Sequence, residues 1–421
     1  MSVKGALQGR SVWSWTFYDW ANSAFATTVM AGFFPIFLKQ YWSGDADPST
    51  STFYLGVGNA IAGIIVAAIA PILGAIADRG GARKKFLLFF TVLGVLMTAG
   101  LYFVAQGDWQ MAVALYVLGT VGFTAGIVFY DALIVDVAKP EHSDFVSGVG
   151  YAAGYLGGGL LFAINVWMTL QPATFGLADA AEAVRISFLM VAAWWAIFSI
   201  PVFLFVKERE PEVQVGFARA IRTGWKQFIG TFHEIRALKP IFLFLIAYWF
   251  YIDGVNTVIK MAVDYGLSLG FESSDLIVAL LLTQFVGFPA AVAFGWLGTK
   301  IGTKRGIYLA IAVYVFVTFW AYFLDTVAEF FAMAVLIGLV QGGIQSLSRS
   351  YYSRLIPPDK SGEFFGFYGM LGKFATIIGP LLMGWVGVLT GSPRMAIMSI
   401  VVLFVIGGWL LTLVEEEAVP N

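Results

Sequence analysis

The chain has 421 residues, 59% hydrophobic and 12% charged, with a formal net charge of −1, two histidines and no cysteine. With a mean hydropathy of +0.81, that composition excludes a soluble globular protein, and no nucleic-acid partner is expected. Disulfides and thiolate metal sites are impossible, His142 and His233 are too far apart in sequence to form a site by spacing, and no cofactor is expected.

Apolar runs of about 20 residues recur down the chain, each long enough to cross about 30 Å of hydrocarbon as a helix and too long for a barrel strand. Twelve are expected, at 13–38, 53–77, 86–105, 109–136, 144–170, 184–206, 240–265, 273–299, 305–324, 328–355, 361–390 and 393–414. The fold class that follows is an all-α integral membrane protein. Lys4 and Arg10 precede the first run, and no small-residue cleavage site follows a short core, so the first helix is read as uncleaved. With the N-terminus inside, about twenty of the 25 Lys and Arg fall in the N-terminus and the even-numbered loops, while Lys39, Arg185, Lys260 and Arg394 lie near the outer side. Both termini are therefore expected in the cytoplasm of a bacterial inner-membrane protein.

The first run holds the sequence YDWANSAF, Tyr18 to Phe25, in which Asp19 is the only ionisable side chain between Val12 and Leu38. As a helix it carries Asp19, Asn22, Ser23 and Ala26 on one face. A carboxylate at membrane depth is costly unless it faces a bundle interior or a wet cavity, which makes it a functional-site candidate. After the second run comes Gly74-x-x-x-Asp78-Arg79-x-Gly81-x-Arg83-Lys84, and after the eighth Gly295-x-x-x-Thr299-Lys300-x-Gly302-x-Lys304-Arg305, 221 residues later. Asp19-x-x-Asn22-Ser23 recurs as Asp253-x-x-Asn256-Thr257 in the seventh run, 234 residues later. Asp131 lies nine residues before Pro140 and Arg349 eight before Pro357, so the fourth and tenth runs also correspond.

These echoes are an internal repeat, read as two six-helix halves, 1–206 and 240–421, around a mixed-charge linker at 207–239. In the linker Phe217, Ile221, Trp225, Phe228, Ile229 and Phe232 recur at helical spacing among Arg219, Arg222 and Lys226, the pattern of an amphipathic surface helix. Parallel repeats of this kind mark transporters, with the site at the repeat interface near mid-membrane.

GAIADRGGARKK resembles the loop motif of the major facilitator superfamily. YDWANSAF, IDGVNT and SLSRSYYSRLIPP resemble one branch, the fungal autophagy-related vacuolar amino-acid effluxers and their bacterial relatives, the unknown major facilitator family. The resemblance implies twelve helices, alternating access, and a cavity lined by the first, fourth, seventh and tenth helices. It also makes the helix starting near Phe365-Gly366 the partner of Asp78, whose carboxylate suits a positive helix N-terminus. Thr299 replaces the acid in the second copy, so the inner gate is assigned to Gly74, Asp78, Arg79, Gly81, Arg83 and Lys84 with Gly366.

The cavity candidates are Asp19, Asn22, Asp131, Asp253, Asn256, Lys260, Arg349 and Lys373, with Tyr18 and Tyr251 beside the polar stripe; their rings suit a cationic or flat solute group. Asp131 and Arg349 are expected to pair across the cavity, either for transport or as cement between halves. Asp136 is read as an ordinary solvated acid, and Trp13 and Trp15 as belt residues at the membrane interface. Proton coupling is placed at Asp19, Asp253 or Asp131, because a carboxylate without a local counter-charge suits a proton carrier. The function expected is secondary active transport, by a monomer in contact with membrane lipids, of a small polar or zwitterionic solute such as an amino acid. A lipid or lysolipid translocase of the same fold is the alternative. No phosphate-binding loop or catalytic constellation is present, so an enzyme is not expected.

Overall fold

The computed structural model describes residues 9–43, 48–209, 230–375 and 378–415. Among them there are only helices and connections, with no strand. Helix α1 is Arg10–Trp42, followed by α2 (Pro48–Gly80), α3 (Arg83–Gly100), α4 (Trp109–Ala132), α5 (Ser143–Leu170) and α6 (Ala180–Phe205). The second half has α7 (Lys239–Ser268), α8 (Ser273–Ile301), α9 (Thr303–Ala321), α10 (Val327–Leu355), α11 (Ser361–Phe374), α12 (Ile378–Thr390) and α13 (Pro393–Thr412). Most of the amphipathic stretch read from the linker, Phe217 to Ile229, lies outside the described residues.

Eleven of these helices are long and apolar enough to cross a membrane. The expected span 361–390 is instead two shorter helices, α11 and α12. The carbonyl of Ala375 accepts a hydrogen bond from Asn256 Nδ2 (3.3 Å), and the N–H groups of Ile378 and Gly379 are given to Asp253 (3.0 and 3.1 Å). Side chains of α7 thus take the place of the ladder that a continuous helix would use. Helix α1 contains two wider turns, Phe25–Phe33 and Leu38–Trp42, with i→i+5 hydrogen bonds. Pro35, which has no N–H to give to the ladder, sits between them.

The two halves of the chain meet along α5–α8 and α2–α11. Within the first half α1 packs on α5 where glycine is required, since a Cβ at Gly157 would lie 2.6 Å from the carbonyl oxygen of Trp20. Gly81 and Gly302, equivalent in the repeat, both take positive φ, +54° and +94°, in the turns that follow α2 and α8. The side of the membrane bearing Arg10 and Thr412 is called here the terminus side, and the other the far side.

Candidate functional site

Asp19 lies nine residues into α1, about 13 Å from its terminus-side end at 1.5 Å per residue, and is buried. Its carboxylate accepts from the Tyr130 hydroxyl at 2.7 Å and lies 3.5 Å from Arg349 Nη1. The same Nη1 is 2.9 Å from Asp131 Oδ1. Arg349 Nε and Nη2 donate to the hydroxyl and carbonyl oxygens of Ser147, at 2.9 and 3.0 Å. Three rings surround the guanidinium, with centroids 4.4 Å (Tyr151), 4.7 Å (Trp15) and 5.5 Å (Tyr130) away. Trp15 is held in place by stacking on Tyr130 and by donating from Nε1 to the Tyr130 carbonyl at 2.9 Å.

The expected pair of Asp131 and Arg349 therefore exists, and Asp19 joins it. Trp15, read from sequence as a belt residue, is a fully buried wall of this cluster, whereas Trp13 is exposed. Tyr130, Tyr151 and Ser147 were not singled out from sequence; the available signal was position, because Tyr130 precedes Asp131 and Ser147 and Tyr151 share a helix face. Tyr18 turns away from Arg349 to share a hydrogen bond with Thr91 at 2.9 Å. Asn22 is buried, and its amide nitrogen has no hydrogen-bond partner among the described residues.

The repeat partners of Asp19 and Asn22 do a different job. Asp253 is buried and receives the two N–H groups at the start of α12, along with the Thr257 hydroxyl at 3.2 Å, while Asn256 caps the end of α11. Asp253 and Asn256 thus clasp the interrupted eleventh span, apart from the Arg349 cluster. Tyr251 bonds to Ser348 at 2.7 Å. The side chain of Lys373 lies outside those described.

On the terminus side Asp78 accepts from the N–H groups of Gly362 (2.9 Å) and Glu363 (2.7 Å), the first turn of α11. The partner helix begins at Ser361, four residues before Phe365. Arg83 Nε binds Asp78 at 2.6 Å, Nη1 binds Asp136 at 3.0 Å, and Nη2 donates to the carbonyls of Pro358 and Asp359 at 3.3 Å. Asp136, its side chain only 2% exposed, is therefore an ion-pair partner of Arg83 and not the ordinary solvated acid expected. Lys84 donates to the Val206 carbonyl at 2.6 Å, and the side chain of Arg79 is not among those described. Gly74 and Gly366 allow the helices to touch: a Cβ at Gly74 would lie 2.2 Å from the Gly362 oxygen, and one at Gly366 2.6 Å from Pro71 Cα.

Among the described residues Thr299 makes only a local bond, to the Trp296 carbonyl. The second copy closes through a residue that sequence reasoning missed, Asp144 at the start of α5. It pairs with Arg354 at 2.9 Å and accepts from Thr303 at 2.7 Å and from Ser350. Arg354 stands 218 residues after Asp136, the same offset that relates Arg349 to Asp131, and that was the signal available. Toward the far side lies a cleft of about 620 Å³, lined by residues such as Phe33, Phe37, Phe162, Val166, Leu276 and Leu280 of α1, α5 and α8.

A bundle of membrane-spanning helices closed at one face by charge contacts between its halves, and cleft at the other, has the architecture of a major facilitator transporter. The human organic anion transporter MFSD10 superimposes with a TM-score of 0.72 at 17% identity, covering 96% of this chain and 99% of that one. FucP, solved in the outward conformation, superimposes with a TM-score of 0.71 at 11% identity, over 98% and 100% of the two chains. The family described as vacuole effluxer Atg22 like matches over residues 46–143 and 135–419. The chain belongs to that family. It is 40% identical to the uncharacterized MFS-type transporter YxiO of Bacillus subtilis (strain 168), over 96% of this chain and 94% of the relative. Autophagy-related protein 22 of Yarrowia lipolytica is 24% identical, over 81% and 72%. The protein is thus a multi-pass membrane transporter and not an enzyme.

Proposed function

We propose that this transporter carries a small polar or zwitterionic solute, of amino-acid type, by alternating access between two halves, 1–206 and 240–421, joined by the 207–239 linker, and that protons drive it. The single observation that carries this reading is the buried cluster of two carboxylates and one guanidinium that joins α1 and α4 of one half to α10 of the other. One carboxylate is in excess. Since a buried charge without a partner is costly, the excess favours uptake of a proton or another cation. Asp19, the more loosely paired at 3.5 Å, is the proton carrier in this scheme, and Asp131 holds Arg349.

The positive-inside rule supports a cytoplasmic terminus side in a bacterial inner membrane. The present conformation then has its inner gate closed by Asp78, Arg83 and Asp144, and its cleft toward the outside. The protein acts as a monomer in this reading. Proteoliposome uptake of an amino-acid panel, with and without a pH gradient, tests it: accumulation that collapses with the gradient is the expected result, and no uptake of any solute would sink it. The apolar lining of the far-side cleft, between α5 and α8, favours one second reading, a lipid or lysolipid translocase. Fluorescent-lipid translocation in the same vesicles, without solute uptake, would establish that reading instead.

A further inference from the structure

We propose that the cage now filled by the Arg349 guanidinium is the binding site for an organic cation, a guanidinium or primary ammonium group carried by the transported solute, which occupies it in alternation with Arg349. This rests on the transporter reading above and adds the chemical class of the solute.

The cage and its occupant come from opposite halves of the chain. Every wall is built by α1, α4 and α5: Trp15 and Asp19, Tyr130 and Asp131, Ser147 and Tyr151. Among the described residues only the cation comes from α10. Each wall presents either an acceptor or a ring face. Two carboxylates stand 2.9 and 3.5 Å from Nη1, Ser147 supplies two oxygens at 2.9 and 3.0 Å, and three rings lie 4.4 to 5.5 Å from the guanidinium carbon. Nothing in this wall set is particular to the side chain of an arginine. It is complementary to any planar or multi-donor organic cation, and its ring faces favour weakly hydrated organic cations over compact metal ions. Gly150 keeps one side low, because a Cβ there would lie 2.7 Å from Asp19 Oδ2 and 3.1 Å from Arg349 Nη2.

Opening on the terminus side has to part α10 from α5. The Ser147 hydroxyl bonds across this seam to the Ser346 carbonyl at 2.8 Å, beside Arg349. As α10 withdraws, Arg349 leaves with it and the cage stays behind with two buried carboxylates facing each other. Stranding a buried charge is far more costly than parting a neutral interface, so the halves separate only when another cation, or protons, takes over the vacated place. Solute cation and proton thus compete for one acidic cage, and Arg349 is the plug that fills it whenever this face is closed.

The test uses the full-length protein in lipid nanodiscs, with the melting temperature read against guanidinium chloride and methylammonium chloride at low millimolar concentration, balanced by sodium chloride. Arg349→Ala leaves the cage without its plug. The expected result is that either organic cation raises the melting temperature of Arg349→Ala, and that adding Asp131→Asn or Tyr151→Leu to it raises the half-saturating concentration at least tenfold. No stabilisation of Arg349→Ala beyond the sodium control would overturn the cage. Should that variant not fold, Arg349→Gln takes its place, and methylguanidine is tested as a competitor of uptake by wild-type protein in proteoliposomes. Competition supports the proposal. Uptake confined to solutes without a cationic group, indifferent to methylguanidine, overturns it while leaving the transporter reading intact. Absence of uptake of every solute overturns the transporter reading, and the melting measurement then decides the cage alone.

Discussion

The Arg349 guanidinium lies 2.9 Å from the Asp131 carboxylate, joining residues 218 apart that occupy corresponding places in the fourth and tenth spans. An internal repeat has put an acid in one copy and a base in the other at the same depth, so the interface between the copies carries its own ion pair. Because both groups are buried, the pair is more a determinant of which conformation is populated than a source of net stability.

Removing one partner strands the other. Asp131→Asn and Arg349→Gln are each expected to cost about 3–5 kcal/mol in folding stability, and the two combined should cost less than the sum. A double-mutant cycle of unfolding in mixed micelles measures this; additive losses would mean that the two side chains do not interact.

Coupling is expected to fail selectively. Asp19→Asn should abolish gradient-driven accumulation yet retain exchange of internal for external solute, since the amide mimics the protonated acid. Asp253→Asn should keep gradient-driven accumulation, because Asp253 serves the start of α12; its expected defect is a loss of about 1–3 kcal/mol in stability. Accumulation surviving in Asp19→Asn would move the carrier to Asp131.

Asp78 holds a helix terminus and not the cavity. Asp78→Asn is expected to remove about 2 kcal/mol from the closed terminus side, a shift of about thirtyfold in the open-to-closed ratio, and so to change the maximal rate more than the half-saturating solute concentration. Thr299→Ala, which loses only a local bond, should stay within about 0.5 kcal/mol of the parent. Equal effects of the two variants on rate would contradict a latch at Asp78 that Thr299 does not share.

Gly74 is needed for closure. A Cβ there would meet the Gly362 oxygen at 2.2 Å, and backbone cannot yield as a side chain would. Gly74→Ala should therefore populate the terminus-side-open state. The chain has no cysteine, so Ser361→Cys gives a single reporter at a hydroxyl now buried on the Ala132 carbonyl, 3.0 Å away. Faster labelling of that cysteine by an impermeant maleimide in Gly74→Ala is the outcome to look for, and an unchanged rate counts against the close-contact argument.

The charged members of the site were legible without coordinates. An Asp in an apolar run is conspicuous because hydrocarbon penalises charge, and so Asp19 and Asp131 stand out as candidates together with Arg349, although the same signal also picks out Asp253, which lies apart from them. The aromatic walls were not. Trp15, Tyr130 and Tyr151 are unremarkable in a chain with 17% aromatic residues, and a ring near the end of a span reads equally as interface belt or as core. Nor could the repeat say that equivalent residues had diverged: Asp19 meets Arg349, whereas Asp253 meets the N–H groups of a broken helix, because the spans opposite them differ, a continuous glycine-rich α5 in one half and the interrupted α11–α12 in the other.

The amino-acid sequence by itself determined all but one of the spans, their pairing into repeats and the glycine- and charge-bearing turns after α2 and α8, since hydrophobic run length and the placement of charge and glycine act locally along the chain. Tertiary structure alone decided which carboxylate finds a cation and which finds a helix end, that Asp136 and Asp144 belong to the closed face, and that one span is split. Those outcomes depend on what stands opposite each polar group across a helix interface, and in a low-dielectric interior the partner, not the residue, sets the energy.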